Sequence, residues 1–258
     1  MSSLAGLPTA TQHMLSAAGI TTRHELLKLV GPPASGKSQF IVSAALDSVF
    51  VVNGSEGPAD ALAGASDAAP AWILDSSASF SVDRLVEMVH ARLASAPAEV
   101  QEAAAAELET ALAHRLRIVA VHSVADVLDA LDAVEAQLEN AAAIAPRLVA
   151  VDSIADILSP IVGSGRRALA DVATVGARLR DIAAAGVIVL VTNRVTASGT
   201  TPALGRAWRF VPDVRLMLEP HLEHQATHVR VVACPRLALS DSPLTFAITA
   251  EGIVGVAP

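Results

Sequence analysis

Gly31-Pro32-Pro33-Ala34-Ser35-Gly36-Lys37-Ser38 fits the pattern G-x-x-x-x-G-K-[ST], and the apolar run Leu26 to Val30 leads into it. The residues from Lys37 to about Ser48 read as a helix. Strand, glycine-rich turn and helix in that order form a phosphate loop. Its glycines let the backbone wrap round phosphate oxygens, while backbone N–H groups and the helix N-terminus face the anion. Lys37 is expected on the β- and γ-phosphates and Ser38 on Mg²⁺. Lys37 is one of only two lysines, against 16 arginines. A chain that otherwise uses Arg keeps Lys where a slim point charge is needed.

Around this motif, short β-branched runs alternate with longer Ala/Leu segments, the pattern of βαβ units and a parallel sheet. Strands are expected at Ala71 to Leu74, Arg117 to Val121, Arg147 to Val151 and Val187 to Val191, the last so apolar that it belongs in the middle. Helices are expected at Val82 to Leu93 with Ser81 as cap, Ala98 to Leu116, Ser123 to about Ala143, and Arg167 to Ala185. Val49 to Val52 either prolongs the first helix or forms a short strand, a choice periodicity leaves open. Asn53 to Pro70 reads as a loop or insertion. Val214 to Leu218, Val229 to Ala233 and Leu244 to Ile248 read as later strands of an antiparallel edge. The fold class is therefore α/β, a mostly parallel sheet flanked by helices, and the chain reads as a single domain behind a lead-in of residues 1–22.

A second phosphate-site strand ends in a carboxylate near Mg²⁺. Leu148-Val149-Ala150-Val151-Asp152 supplies one, and Asp152 is assigned that role alongside Lys37 and Ser38.

Composition bounds the rest. The chain has 258 residues, 52% of them apolar, and about one in five is Ala. That excludes disorder as the dominant state. One cysteine, Cys234, excludes a disulfide framework or a Cys-rich zinc module and fits a reducing compartment. The net charge of −8 does not favour non-specific nucleic-acid binding, so any such contact must come from a local Arg cluster. The apolar runs are too short to span a membrane, and no signal peptide is evident. Mean hydropathy of +0.49 points to doubly covered strands and a buried partner surface, or simply to Ala-rich composition. His221, His224 and His228 are spaced like metal ligands, but no second Cys or carboxylate cluster completes a site.

Several stretches resemble RecA-family recombinases. Trp72 to Phe80 with Asp83-Arg84-Leu85 resembles the strand and helix after the phosphate loop, and Val187 to Arg194 resembles the strand ending in the family's Thr-Asn-Gln sensor. Pro202-Ala203-Leu204-Gly205-Arg206-Ala207-Trp208-Arg209-Phe210-Val211-Pro212 resembles the D-type paralogues of the eukaryotic strand-exchange recombinase. Arg117 to Leu138 and Val151 to Gly163 do so too. The resemblance covers most of Leu15 to Leu218. It implies a RecA-like ATPase core that binds ATP or ADP with Mg²⁺, with Gln39 and Asn193 joining the nucleotide contacts. It also implies a nuclear role in homologous recombination, beside other recombinase-paralogue subunits in a hetero-oligomer, on single-stranded DNA. The DNA contacts it implies fall on two loops, around Gly163 to Arg167 and Ala197 to Thr201. Arg166, Arg167, Arg194, Arg206 and Arg209 supply the charge.

The departures are specific. The family's water-orienting Glu falls at Ser77, the sensor Gln position holds Arg194, and, with the phosphate loop beginning at residue 31, the family's N-terminal helical domain is expected to be missing. Glu56 is an alternative acid in another register. These departures imply a nucleotide-binding regulator with weak or no turnover alone. The alternatives are an active DNA-dependent ATPase, a scaffold with structural nucleotide, and a small-molecule kinase, for which no acceptor site is recognisable. Arg206, Trp208 and Arg209 are expected at a partner interface or near nucleotide.

Overall fold

The computed structural model describes residues 25–49, 69–78, 80–94, 112–196, 202–221, 226–234 and 244–256. The elements, in chain order, are β1 (Leu26–Gly31), α1 (Lys37–Val49), β2 (Ala71–Asp75), α2 (Val82–Ala94), β3 (Leu116–Ala120), α3 (Val124–Glu139), β4 (Leu148–Asp152), α4 (Ile154–Leu158) and α5 (Arg166–Ala184). They continue with β5 (Ile188–Arg194), α6 (Gly205–Trp208), β6 (Val214–His221), β7 (Ala226–Ala233), β8 (Leu244–Thr249) and β9 (Gly252–Gly255).

The strands form one nine-stranded sheet in the order β3-β2-β4-β5-β1-β6-β7-β8-β9. The six from β3 to β6 are parallel, and β7, β8 and β9 extend the sheet antiparallel. Parallel strands covered on both faces must be apolar throughout. Accordingly β1, β2 and β4 are buried at every position, and β5 at all but its last. On one face, α1 packs Phe40, Ile41 and Ala44 against Leu27, Leu29, Ile73, Ala150 and Leu190. On the other, α3 and α5 bring Val127, Leu131, Val172, Val175 and Leu179 against Leu74, Val149, Val189 and Val191. Arg178 of α5 ties these two helices together through Asp132 and Glu135 of α3, each at 2.6 Å. Both clusters bury large aliphatic side chains, each worth about 1.5–3 kcal/mol.

The expected strands and helices form close to where the residues place them, with four differences. Leu116 opens β3 instead of closing a helix; residues 98–111 lie outside the described residues. The helix from Ser123 stops at Glu139, because Asn140 adopts an extended backbone and its Oδ1 accepts from Ala142 N–H at 3.0 Å. Ser123 is that helix's cap, in a capping box with Asp126. Val214 to Leu218 belongs to β6, which runs parallel to β1, so the antiparallel edge starts one strand later. The short helices α4 and α6 and the last strand β9 carry too little periodicity to be read from sequence. Of Val49 to Val52, Val49 prolongs α1, and the other three lie outside the described residues. Among the described residues, no helix is long and apolar enough to cross a membrane.

Trp208 requires a correction of another kind. It is fully buried among Val172, Val175 and Leu204 in the α5-side core, so it packs this chain's interior and forms no partner surface. Leu204 and Val211 carry the same segment across α5. Gly176 makes this close approach possible: a Cβ there would stand 2.7 Å from Val211 Cγ1.

Candidate nucleotide site

The phosphate loop runs from the end of β1 to the start of α1, with β5 and β6 on either side of β1. Its shape depends on two glycines. A Cβ at Gly31 would stand 2.5 Å from Ser35 Oγ and 2.6 Å from the Leu218 carbonyl oxygen. Gly36 has φ +86°, which L side chains rarely adopt, and Ala34 also lies in the left-handed region at φ 61°. Successive residues of alternating hand turn backbone N–H groups inward, the geometry of an anion nest. The first turn of α1 carries no acidic residue, leaving the helix N-terminus uncompensated.

Lys37 folds back over the loop. Its Nζ donates to the carbonyl oxygens of Gly31 (2.9 Å) and Pro32 (2.7 Å) and to Ser35 Oγ (3.2 Å). Burial holds its ammonium below the ordinary lysine range, and the nearby Asp152 carboxylate partly opposes that shift. A half-buried cation satisfied only by neutral oxygens is suited to an anion, which would take up its charge. Residues 34–39 and Ile248 line a cleft of about 210 Å³ here. Lys37, Ser38 and Gln39 all line this cleft.

Asp152 ends β4, beside β5, and Thr192 Oγ1 donates to its Oδ1. Asp75 ends β2 directly opposite it in register. The residues after Asp75 form a turn that consumes its oxygens: Ser77 N–H and Oγ donate to Oδ1 at 3.0 and 3.1 Å, and Phe80 N–H donates to Oδ2 at 3.0 Å. Ser77 is therefore occupied in holding Asp75. Ser76 links the two strand ends, accepting from Ser153 N–H at 2.8 Å and donating to the Asp152 carbonyl oxygen at 3.2 Å. The Asp152–Ser153 peptide is cis.

The remaining expected residues lie elsewhere. Asn193 is fully buried and donates from Nδ2 to the Ala203 carbonyl oxygen at 2.9 Å, fastening the segment after β5 instead of lining the cleft. Arg194 pairs with Asp156 of α4 at 2.8 Å, which ties the end of β5 to the segment following Asp152. Arg166 and Arg167 are exposed at the start of α5, after Gly163 and Gly165, whose φ values are +94° and +106°. Arg209 is exposed. The side chain of Arg206, the loop from Ala197 to Thr201, Glu56 and His224 lie outside the described residues. His221 and His228 meet edge to face at 4.9 Å, and no group of three metal-ligating side chains occurs among the described residues.

Two residues, one lining the cleft and one bound to its wall, carry no sequence signal of their place there. Ile248 comes more than 200 positions after the loop, and it reaches the site because β8 folds over it: a Cβ on Gly36 would meet Ile248 Cδ1 at 2.9 Å. Arg84 of α2 donates to Gln39 Oε1 at 3.3 Å and to the Thr249 carbonyl oxygen at 2.6 Å, joining the cleft wall to the end of β8. Further along, Arg92 donates to the Glu251 carbonyl oxygen at 2.7 Å, and Ser43 Oγ accepts from Ile253 N–H at 3.1 Å. The last hairpin is thereby bound to α1 and α2. An amphipathic β8 signals a strand, but nothing in its residues announces where it lands.

No family model matches the chain. Over 204 residues it is 29% identical to DNA repair protein RAD51 homolog 4 of Bos taurus, a stretch that takes in 76% of this chain and 55% of that protein. The chain thus spans about half the length of the curated relative it matches. This distant likeness supports a relationship to the RecA-family recombinase paralogues, and with the sheet order above it identifies the fold as an α/β RecA-like core.

Proposed function

We propose that the chain is an ATP- or ADP-binding subunit that assists homologous recombination and DNA repair in the nucleus. In this reading it works within a hetero-oligomer of recombinase-paralogue subunits that loads or stabilises the recombinase filament on single-stranded DNA. The observation that carries the reading is the phosphate loop, in which Lys37 is held over an N–H-lined turn with only neutral oxygens for partners. The likeness to a DNA repair protein supplies the biological setting. The residues fit a nucleotide with its metal: Ala34 and Gly36 take the left-handed backbone of an anion-binding turn, Lys37 lies over it, and Ser38 and Asp152 would hold Mg²⁺. When bound, Mg²⁺ neutralises charge on the phosphates. Lys37 would orient the terminal phosphates, and Ile248 gives the same cleft an apolar wall. Equilibrium binding of a fluorescent ADP with Mg²⁺ tests the reading. Lys37→Ala is expected to weaken it by roughly 2–5 kcal/mol, the usual loss when one partner of a close charge pair is removed. Unchanged affinity in the variant refutes it.

Turnover by the chain alone is expected to be slow, because Ser77 stands where the family has its water-orienting acid and is committed to Asp75. Groups that position or activate water contribute about 10²–10⁴-fold. Ser77→Glu is expected to raise the steady-state ATPase rate; a brisk rate in the unmodified chain contradicts this account.

The arginines opening α5 are proposed to contact the DNA backbone. Arg166→Ala with Arg167→Ala is expected to weaken single-strand binding by the assembled complex and to flatten its salt dependence. Equal binding at every salt concentration would assign the two arginines to a solvated helix start.

A further inference from the structure

The turn after α6 presents a second charged feature, on the sheet face away from α1. Arg209 and Phe210 are both exposed there, Phe210 to 79%, and the Arg209 guanidinium lies over the Phe210 ring at 5.6 Å. Behind them, Arg215 of β6 donates from Nη2 to the Arg209 carbonyl oxygen at 2.8 Å, while its Nε is buried without a partner. Directly beside Arg215 in register is Lys28 of β1, 1% exposed. Among the described residues, no carboxylate pairs with Lys28, Arg209 or Arg215. Asp213, the acid on the same segment, spends Oδ2 on Leu26 N–H at 2.9 Å.

The turn is also held rigidly. Trp208 is in the core on one side, Val211 packs on Gly176, and Asp213 N–H donates to the Leu26 carbonyl oxygen at 3.0 Å. Arg209 and the half-buried Arg215, neither paired with a carboxylate among the described residues, focus positive potential on this spot of an otherwise acidic chain. An exposed, pre-ordered Phe flanked by Arg is the composition of an interface anchor.

We infer that the Arg209–Phe210–Arg215 turn is a docking surface for an acidic polypeptide segment of a partner protein. A carboxylate of that segment would lie on the arginines and an apolar side chain on Phe210. The partner is chosen by charge complementarity, because no carboxylate among the described residues pairs with the two arginines. This deepens the proposed role in a complex and rests on it, but it does not involve the phosphate loop.

Fluorescence anisotropy on the full chain tests the inference. The probes are a labelled peptide of alternating Glu and Leu, its Lys/Leu counterpart and an oligothymidylate, with MgADP binding measured on the same samples. The Glu/Leu peptide is expected to bind and the Lys/Leu peptide not to. Arg209→Glu with Phe210→Ser is expected to lower peptide affinity by about tenfold or more and to leave MgADP binding unchanged. Phe210→Ala alone, at an exposed position, gives a smaller loss in the same direction. Arg166→Ala with Arg167→Ala leaves the peptide affinity as it was. The inference is overturned if the unmodified chain ignores the Glu/Leu peptide or if the double variant binds it equally. It is also overturned if only oligothymidylate binds at this turn, which would make Phe210 a base-stacking platform. A chain that binds the peptide but no MgADP would sink the nucleotide reading and leave this surface standing.

Discussion

Replacing Trp208 by Ala lowers the stability of the chain by about 3–5 kcal/mol, the range for deleting a large aromatic from a packed core. Trp208 is fully buried between α5 and the sheet, and it is the largest such side chain in the described structure. Removing it leaves a cavity lined by Val172, Val175 and neighbours, which the rigid α5–β5 packing has little freedom to close. Urea denaturation of the full chain measures the loss. The fraction that remains folded is expected to keep its partner binding, since no part of the ring is exposed. A small stability change accompanied by lost partner binding would return Trp208 to an interface.

The second large effect is a pH dependence from Lys28. Burial, reinforced by the neighbouring Arg215 charge, pushes its ammonium from 10.5 down to about 7 in the folded chain. The unfolded chain keeps the proton up to its ordinary value. Between about 7 and 10.5 the unfolded state binds more protons, so stability rises with pH across that window. Below the window both states carry the proton and the cost of burying it is complete, on the order of 4–5 kcal/mol. Lys28→Met is therefore expected to be more stable than the natural chain at pH near 6, with the advantage shrinking as pH rises. Midpoints of urea unfolding at several pH values check this. Parallel pH profiles for the two chains would show that Lys28 stays charged and solvated.

Lys28 also illustrates what sequence can and cannot convey. A lone Lys inside Leu26 to Val30 leaves the strand legible, because β-strand identity rests on its apolar neighbours. That the ammonium lands beside Arg215 follows from the parallel pairing of β1 with β6, a contact between residues 187 positions apart that no local pattern encodes. The same pairing explains the misplaced start of the antiparallel edge. β6 alternates buried and half-buried positions, the signature of a half-covered strand, and only its pairing partner decides its direction. Likewise the Gly31–Ser38 loop is legible because phosphate geometry dictates its glycines, Lys and Ser at fixed spacing. Ile248 and Arg84 are not, since their place in the cleft comes from how β8 and α2 pack over α1. Arg194 shows a third case. Its position is legible as a departure from the family sensor, but its pairing with Asp156 depends on where the short helix α4 sits.

The central claim is that the loop from Gly31 to Ser38 holds the phosphates of a nucleotide, and the most direct measurement compares ligands that differ only there. Thermal or urea unfolding of the full chain is followed with MgADP and with adenosine at matched concentrations, for the natural chain and for Lys37→Ala. A ligand bound only to the folded state at 1,000 times its Kd stabilises it by about 4.1 kcal/mol. MgADP is expected to shift the natural chain by an amount of this order, adenosine to shift it little, and Lys37→Ala to lose most of the MgADP shift. Equal shifts with MgADP and adenosine, or a shift that survives in Lys37→Ala, would contradict the assignment of the phosphate loop.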